Sequence, residues 1–262
     1  MNRGMRRRWA SMFCSTPWRI SPLCLFLALS LPASAATLPE LWPLQPNPAI
    51  LSNQLAIAQA VPSALQPALQ FQKMFCAILA GAPVSDWRAD LEKFVRLTGD
   101  DPVMQGIREA ARPWLARVWM EDLAAVMRNY YQRHVSFPDT LTALGKDLPQ
   151  SLRVDPWGQP WVYSPHAPTG FAHQFNQRYQ LGTTRSPHLS LLHDAITNRR
   201  PPAAGWKITP QDIGGARALQ FQSVTANSLI QPGGTVDGCV LMFAGDGWAL
   251  LGGPDQLFTV TF

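Results

Sequence analysis

Along the 262-residue chain the spacing of apolar positions changes character several times. Residues 23–31 (LCLFLALSL) are one short apolar run. Residues 50–79 are apolar with Ala and Gln interspersed, and Pro62 and Pro67 break them into two expected short helices. Trp87, Leu91, Phe94 and Val95 then share a helical face. Ser85 is the expected N-cap of that helix, and Gly99 stands where a left-handed residue closes one. Asp101-Pro102 has the order of an N-cap followed by proline at the first helical position, and this helix is expected to stop near Ala111. Pro113 is expected to open the longest helix, reaching about Tyr131. Its Leu115, Val118, Trp119, Leu123, Val126 and Tyr130 lie three or four apart as one apolar stripe.

Beyond Pro201-Pro202 the period drops to two. Residues 219–224 alternate, Gly233-Gly234 marks a turn, and residues 239–243 and 248–251 flank Gly245-Asp246-Gly247 as a hairpin. Residues 257–262 form a last expected strand. These elements predict an α+β fold: an N-terminal helical region, a long helix packed on an antiparallel β-sheet, and a β-rich C-terminus. The expected divisions are residues 1–35, a Pro-rich arm and helical region at 36–112, an α+β region at 113–200, and a C-terminal region at 201–262. Strands after residue 205 are expected to extend the central sheet.

Charge alters this picture at one end. The chain is formally +5, but Arg3, Arg6, Arg7, Arg8 and Arg19 all precede residue 36 and no acidic residue does. Without them 22 − 5 = 17 basic residues face 17 acidic ones, leaving no basic surface that would call for nucleic acid. The basic start, the apolar run and Ala33-Ser34-Ala35 together have the organisation of a secretory signal peptide cut after Ala35. The run is too short to cross a bilayer, which takes about 20 residues. A periplasmic or secreted protein without a transmembrane helix after cleavage is expected.

The stretch between helix and strands is dense in turn signals. Phe137-Pro138-Asp139 ends one helix and opens a short Leu141/Leu144 turn that Gly145 can close. In Asp155-Pro156-Trp157-Gly158, Asp can accept backbone N–H groups, Pro presets φ, and Gly frees the exit. Pro160 keeps Gln159 extended, and Trp161-Val162-Tyr163 begins a strand.

This order of parts resembles the periplasmic domain of type II secretion pseudopilins, above all the major pseudopilin. There a long helix ends in Tyr, a Tyr/Phe-Pro and Leu-rich turn follow, and a DPWG-N/Q-P-aromatic-x-Tyr segment enters a small sheet. The corresponding residues are Tyr130, Tyr131, Phe137, Pro138, Leu141, Leu144, Asp155, Pro156, Trp157, Gly158, Gln159, Pro160 and Tyr163. Tyr179-Gln180-Leu181-Gly182 is similar to the family's Y-x-L-G strand, and residues 194–198 to its closing D-I-x-N. The likeness covers residues 115 to 198 and implies a non-enzymatic protein acting through protein contacts in or near a secretion or pilus-type assembly. The chain departs from the family in two ways. Residues 36–41 (ATLPEL) echo a prepilin start, yet Pro39, Pro43, Pro46 and Pro48 forbid the long apolar helix that would follow, and Ala35 replaces the glycine before the cut. The family's calcium loop corresponds to residues 183–188 (TTRSPH), which hold no carboxylate, so that site is expected to be lost, with only Asp194 remaining.

Catalytic and metal motifs do not emerge. His134, His166, His173, His188 and His193 show no H-E-x-x-H spacing, the serines lack a G-x-S-x-G elbow, and Gly245-Asp246-Gly247 lacks the alternating ligands of a calcium loop. No cofactor or metal is expected. The rival is a secreted hydrolase, or a small-ligand or carbohydrate-binding protein, without a recognisable motif. Cys14 and Cys24 leave with the signal peptide, so Cys76 and Cys239 remain in an oxidising compartment and are expected to form a disulfide, the alternative being two free buried thiols. N-terminal sequencing of the exported form should return Ala36 as its first residue. Retention of residues 23–31, or a methylated N-terminus, would contradict the processing read from the sequence.

Overall fold

Asp101 begins the element on which the others assemble. Its side chain accepts hydrogen bonds from the backbone N–H groups of Val103 (2.8 Å) and Met104 (3.1 Å), as an N-cap should. A computed structural model describes residues 37–58, 61–165, 179–202, 204–223 and 227–262. The expected signal peptide, His166, His173 and Val224 lie outside the described residues. The elements are α1 (Pro48–Ile57), α2 (Gln66–Leu79), α3 (Val84–Val95), α4 (Pro102–His134) and α5 (Leu192–Thr197). The strands are β1 (Val162–Ser164), β2 (Gln180–Gly182), β3 (Lys207–Ile213), β4 (Ala216–Gln222), β5 (Asn227–Ile230), β6 (Thr235–Val236), β7 (Cys239–Ala244), β8 (Trp248–Gly253) and β9 (Gln256–Thr261).

The expected break at Pro113 is absent: α4 runs unbroken for 33 residues, about 50 Å at 1.5 Å per residue. An internal proline loses one N–H and crowds the carbonyl four residues back, a cost of about 3 kcal/mol. Here Ile107, Ala110, Ala111 and Trp114 are all fully buried around Pro113, and burial of that extent on both sides outweighs the local penalty. At the other end the helix stops on Val135, a β-branched residue in the left-handed region (φ 56°, ψ 17°) that is 78% exposed. Ser85 does not cap α3, which starts at Val84; its hydroxyl instead donates to Asp86. Two helices stand where the sequence placed them, α1 and α2, with Pro62 between them and Pro67 in the first turn of α2.

The Pro-rich segment is no free arm. Residues Leu38–Leu41 form a 3-10 turn in which Glu40 Oε2 accepts from the Thr37 N–H (3.0 Å), and Leu41 and Trp42 are buried. Trp42 O accepts from the Thr259 N–H (2.7 Å), Thr259 Oγ1 donates to Pro39 O (2.7 Å), and Gln256 Nε2 donates to Leu44 O (3.1 Å). The segment therefore covers the outer edge of β9, where unpaired backbone groups would otherwise stand open. The prolines forbid a long helix but suit such a covering strip.

The strands form three antiparallel sheets rather than one extended sheet: β1-β2, β3-β4-β5 and β6-β7-β8-β9. Gly214 and Gly215 (φ 60° and 81°) turn β3 into β4, and Asp237-Gly238 (φ 47° and 77°) turn β6 into β7, both with the doubly positive φ of tight hairpins. The four-stranded sheet is apolar on both faces, which explains why residues 239–243 and 248–251 are continuous apolar runs. Met242, Leu250 and Leu257 pack toward the helices, while Leu241, Ala249, Leu251 and Phe258 pack toward Leu219, Phe221 and Ile230 of the three-stranded sheet. A bulge between Leu241 and Phe243 brings Phe243 opposite Leu250, so that both Met242 and Phe243 face the helix side. There α4 lies on the sheet glycine to glycine: a Cβ on Gly252 would stand 2.5 Å from Gly106 Cα and 2.6 Å from its carbonyl oxygen.

A separate core lies under the second half of α4, where Ala116, Met120, Leu123 and Met127 meet Leu144, Leu148, Leu152, Trp161 and Tyr179. Trp119 touches this core and the first. Cys76 and Cys239 fall in different clusters, the helical one and the inter-sheet one, and both are free and buried. The expected disulfide is thus not formed. The Cys76 thiol donates to Pro48 O (3.4 Å), and Cys239 Sγ lies against the backbone edge at Gly253. Burial pushes both thiols up in pKa, Cys239 to about 11 with Asp237 adding to the effect.

Two consequences can be measured. Gly252→Ala drives a methyl into helix backbone and should cost about 3 kcal/mol, whereas Val135→Gly relieves an exposed left-handed valine and should gain about 1 kcal/mol; denaturant unfolding gives both signs. Alkylation without reductant should label two thiols after unfolding and neither in the native state. Unfolded protein that takes up no label would reveal the bridge.

Candidate functional site

The residues singled out in the sequence do meet at one place. Asp155 is buried, and its Oδ1 accepts from the N–H groups of Trp157 and Gln159, both at 2.9 Å. Its backbone closes the same turn: Asp155 O accepts from the Gly158 N–H (2.9 Å), and the Asp155 N–H donates to Gln159 O (2.7 Å). Gly158 has φ 79°, so the freedom of glycine is used at the fourth position. Pro156 is buried, Trp157 is partly so, and Pro160 is exposed, leading into Trp161, whose indole N–H donates to Leu152 O at 3.0 Å. The exit of the turn is thereby tied to its entrance.

From there β1 carries Tyr163, which pairs with Leu181 of β2, so the DPWG segment and the Y-x-L-G segment form one hairpin. The Tyr163 hydroxyl donates to the carbonyl of buried Pro138 (2.7 Å). Burial, with Tyr179, Asp139 and Tyr130 contributing, pushes its pKa up to about 12. Rings continue the contact: Tyr131 with Phe137 (4.8 Å), Phe137 with Tyr179 (4.9 Å) and Tyr163 with Tyr179 (6.1 Å). Tyr130 stacks on His134 (4.2 Å) in the last turn of α4. The arrangement is an aromatic wedge that joins the end of the helix, the Phe137-Pro138 turn and the β1–β2 pair.

The loop after β2 is closed by Thr183, fully buried, whose backbone N–H donates to Ser186 O (3.2 Å) and whose hydroxyl accepts from the Ser186 N–H (3.0 Å). Gly182 lies directly against the Pro187 carbonyl. Asp194 is exposed in the first turn of α5. Among the described residues no group of three or more His, Cys, Asp or Glu side chains could hold a metal ion.

A second cluster was not anticipated. Arg117 of α4 is only 4% exposed and grips Asp255 in the β8–β9 turn with both terminal nitrogens, Nη1 on Oδ1 and Nη2 on Oδ2 (3.1 Å), while its Nε donates to Ser190 O (3.2 Å). The guanidinium lies 4.9 Å over the Trp114 ring, whose own N–H donates to Asp255 O at 2.6 Å. Asp255 holds φ 73°; Pro254 before it completes the residue pattern of a turn with positive φ at its third position. Phe75 meets Trp114 edge-on (5.9 Å) and carries Arg199 on its face (4.9 Å). The signal in the sequence was a lone charge, Arg117, between Ala116 and Val118 on the apolar side of the helix, but its partner lies 138 residues away.

Comparison of the chain with protein-family models, with curated proteins and with solved structures finds no match. Among the described residues no helix is long and apolar enough to cross a membrane.

Removing the Asp155 side chain would leave two part-buried backbone N–H groups, of Trp157 and Gln159, without their acceptor. At about 1 kcal/mol for each net hydrogen bond and more for a buried donor left unpaired, Asp155→Ala should lose about 2–4 kcal/mol. Asp155→Asn, which keeps the accepting oxygen, should lose less than half of that. Equal losses in thermal or denaturant unfolding would mean the turn does not depend on this oxygen.

Proposed function

We propose that the protein is a secreted or periplasmic, non-enzymatic component whose pseudopilin-like module acts through protein contacts in or near a type II secretion or pilus-type assembly. One observation carries this reading. The Asp155 turn feeds a hairpin made of the DPWG and Y-x-L-G segments, and Tyr163 fastens that hairpin to Pro138 just beyond the end of the long helix. The order of these parts, long helix, Phe-Pro turn, DPWG turn and strand, is that of the pseudopilin likeness and supports the reading.

The mode of assembly would differ from that of a pilin. The residues echoing a prepilin start form a capped turn, with Leu41 and Trp42 packed into the core and Thr259 bonded to the segment. They are therefore unavailable for a filament-forming helix, and contacts would run through the folded surface. In the native organism, the tagged protein should be cross-linked in the envelope fraction and the products identified by mass. Cross-links to components of a secretion or pilus-type assembly are the expected result. Recovery of the protein without any such component under the same cross-linking would count against the proposal.

A further inference from the structure

We propose that Arg199 forms a carboxylate-binding site with the Arg117–Asp255 pair, taking a carboxylate carried by a peptide or other partner molecule. This inference is independent of the pseudopilin reading. Four elements build the place: Phe75 from α2, Trp114 and Arg117 from α4, Asp255 from the β8–β9 turn, and Arg199 just past α5. The last is positioned by Leu192 and Ala195, which are buried in the helical core. Phe75, fully buried, supplies a flat face on which the Arg199 guanidinium lies at 4.9 Å. That contact holds the guanidinium against the ring and uses none of its N–H groups.

Among the described residues nothing fills that edge: Arg199 is partly buried yet makes no hydrogen bond and no ion pair with any of them. Its nitrogens are absent from the fully enclosed unpartnered atoms, which belong to Gln72, Arg112, Asp155, Trp157, Arg217 and Gln256. They therefore remain open to an incoming group. Asp255 cannot serve both cations, because Arg117 already engages both of its oxygens. Its charge still reaches Arg199 and favours the cation, while burial and Arg117 work against it, with burial the largest effect.

Two guanidiniums and one carboxylate leave a single uncompensated positive charge in a half-desolvated setting. One carboxylate neutralises it and offers two oxygens to a planar fork, the geometry in which arginine and carboxylates pair best. A dianionic phosphate would overcompensate. The ring beneath and the Arg117 pair beside it hold the receptor ready, so little ordering is required on binding.

The Nε–Hε resonance of Arg199, assigned by its loss in Arg199→Lys, reports directly on the fork. It should shift saturably with N-acetylglycine at millimolar concentrations and stay still with N-acetylglycine amide, which lacks the charge. Thermal stability should rise with the acid alone, and Arg199→Gln should abolish that rise. A resonance that does not move overturns the proposal. So does one that follows ionic strength together with exposed Arg96, or a thermal shift that survives Arg199→Gln. To separate sources, a peptide with a free C-terminus and its amidated form carrying an internal Glu are compared. Saturable binding of the first alone assigns a chain terminus, of the second an acidic side chain, and binding of neither at millimolar concentration counts against a peptide-borne carboxylate. Inorganic phosphate binding more tightly than the acid would overturn the choice of carboxylate.

Discussion

Trp114 and Arg117, a turn apart on one helix, hold the single residue Asp255 from two sides: the indole takes its backbone carbonyl and the guanidinium takes its carboxylate. This grip and the Gly106–Gly252 crossing join the C-terminal sheet to the long helix, alongside Met242, Leu250 and Leu257 packed in the helical core. A buried arginine is expensive unless its donors are satisfied. Here Asp255 and Ser190 O take hydrogen bonds from all three of its nitrogens, and the Trp114 ring covers its face. Removing Asp255 would leave a charge without its counter-charge in a site that is 4% exposed, so the turn tolerates little change. The left-handed backbone of Asp255 is a further cost that this grip outweighs.

The long helix works as a common spine because its two halves face different partners. Its first half, from Val103 to Val118, belongs to the core shared with α2, α3 and the four-stranded sheet. Its second half, with Met120, Leu123 and Met127, roofs the Asp155 turn and the β1–β2 hairpin. Trp119 lies in both. A break at Pro113 would let these halves move separately; continuity across it makes the aromatic wedge at one end and the arginine cluster in the middle parts of a single rigid frame. Such a frame suits a protein that acts by presenting surfaces, the function we infer.

How much of this could be read in the sequence follows from how local each cause is. The Asp101 cap, the Asp155 turn, the Leu141 turn and the hairpin across Gly245-Asp246-Gly247 depend on residues within a few positions of one another and were legible, whereas the turns at Gly214-Gly215 and Asp237-Gly238 were not read. Failures occurred where distant burial overrode a local rule. Pro113 reads as a helix start until Trp114 and Ala110 are seen buried on either side. Pro39 and Pro43 read as a linker, although Trp42 between them is fully buried. Residues 207–213 carried no strand reading, and β3 accommodates Pro210 because it is an edge strand. The motif residues found by resemblance lie close together in sequence and meet around the Asp155 turn, whereas Arg117, Asp255 and Arg199 come from three distant places and left only one trace, a charge on an apolar helical face.

The central claim is that the Arg117–Asp255 contact couples the helical spine to the C-terminal sheet. A double-mutant cycle with Arg117→Met and Asp255→Asn, read by denaturant unfolding, tests it most directly, since asparagine tolerates the left-handed backbone and methionine keeps much of the buried volume. Each single change should cost about 3 kcal/mol or more by leaving its partner unpaired. The double mutant should lose clearly less than the sum, a coupling of about 2 kcal/mol. Additive losses would contradict the account.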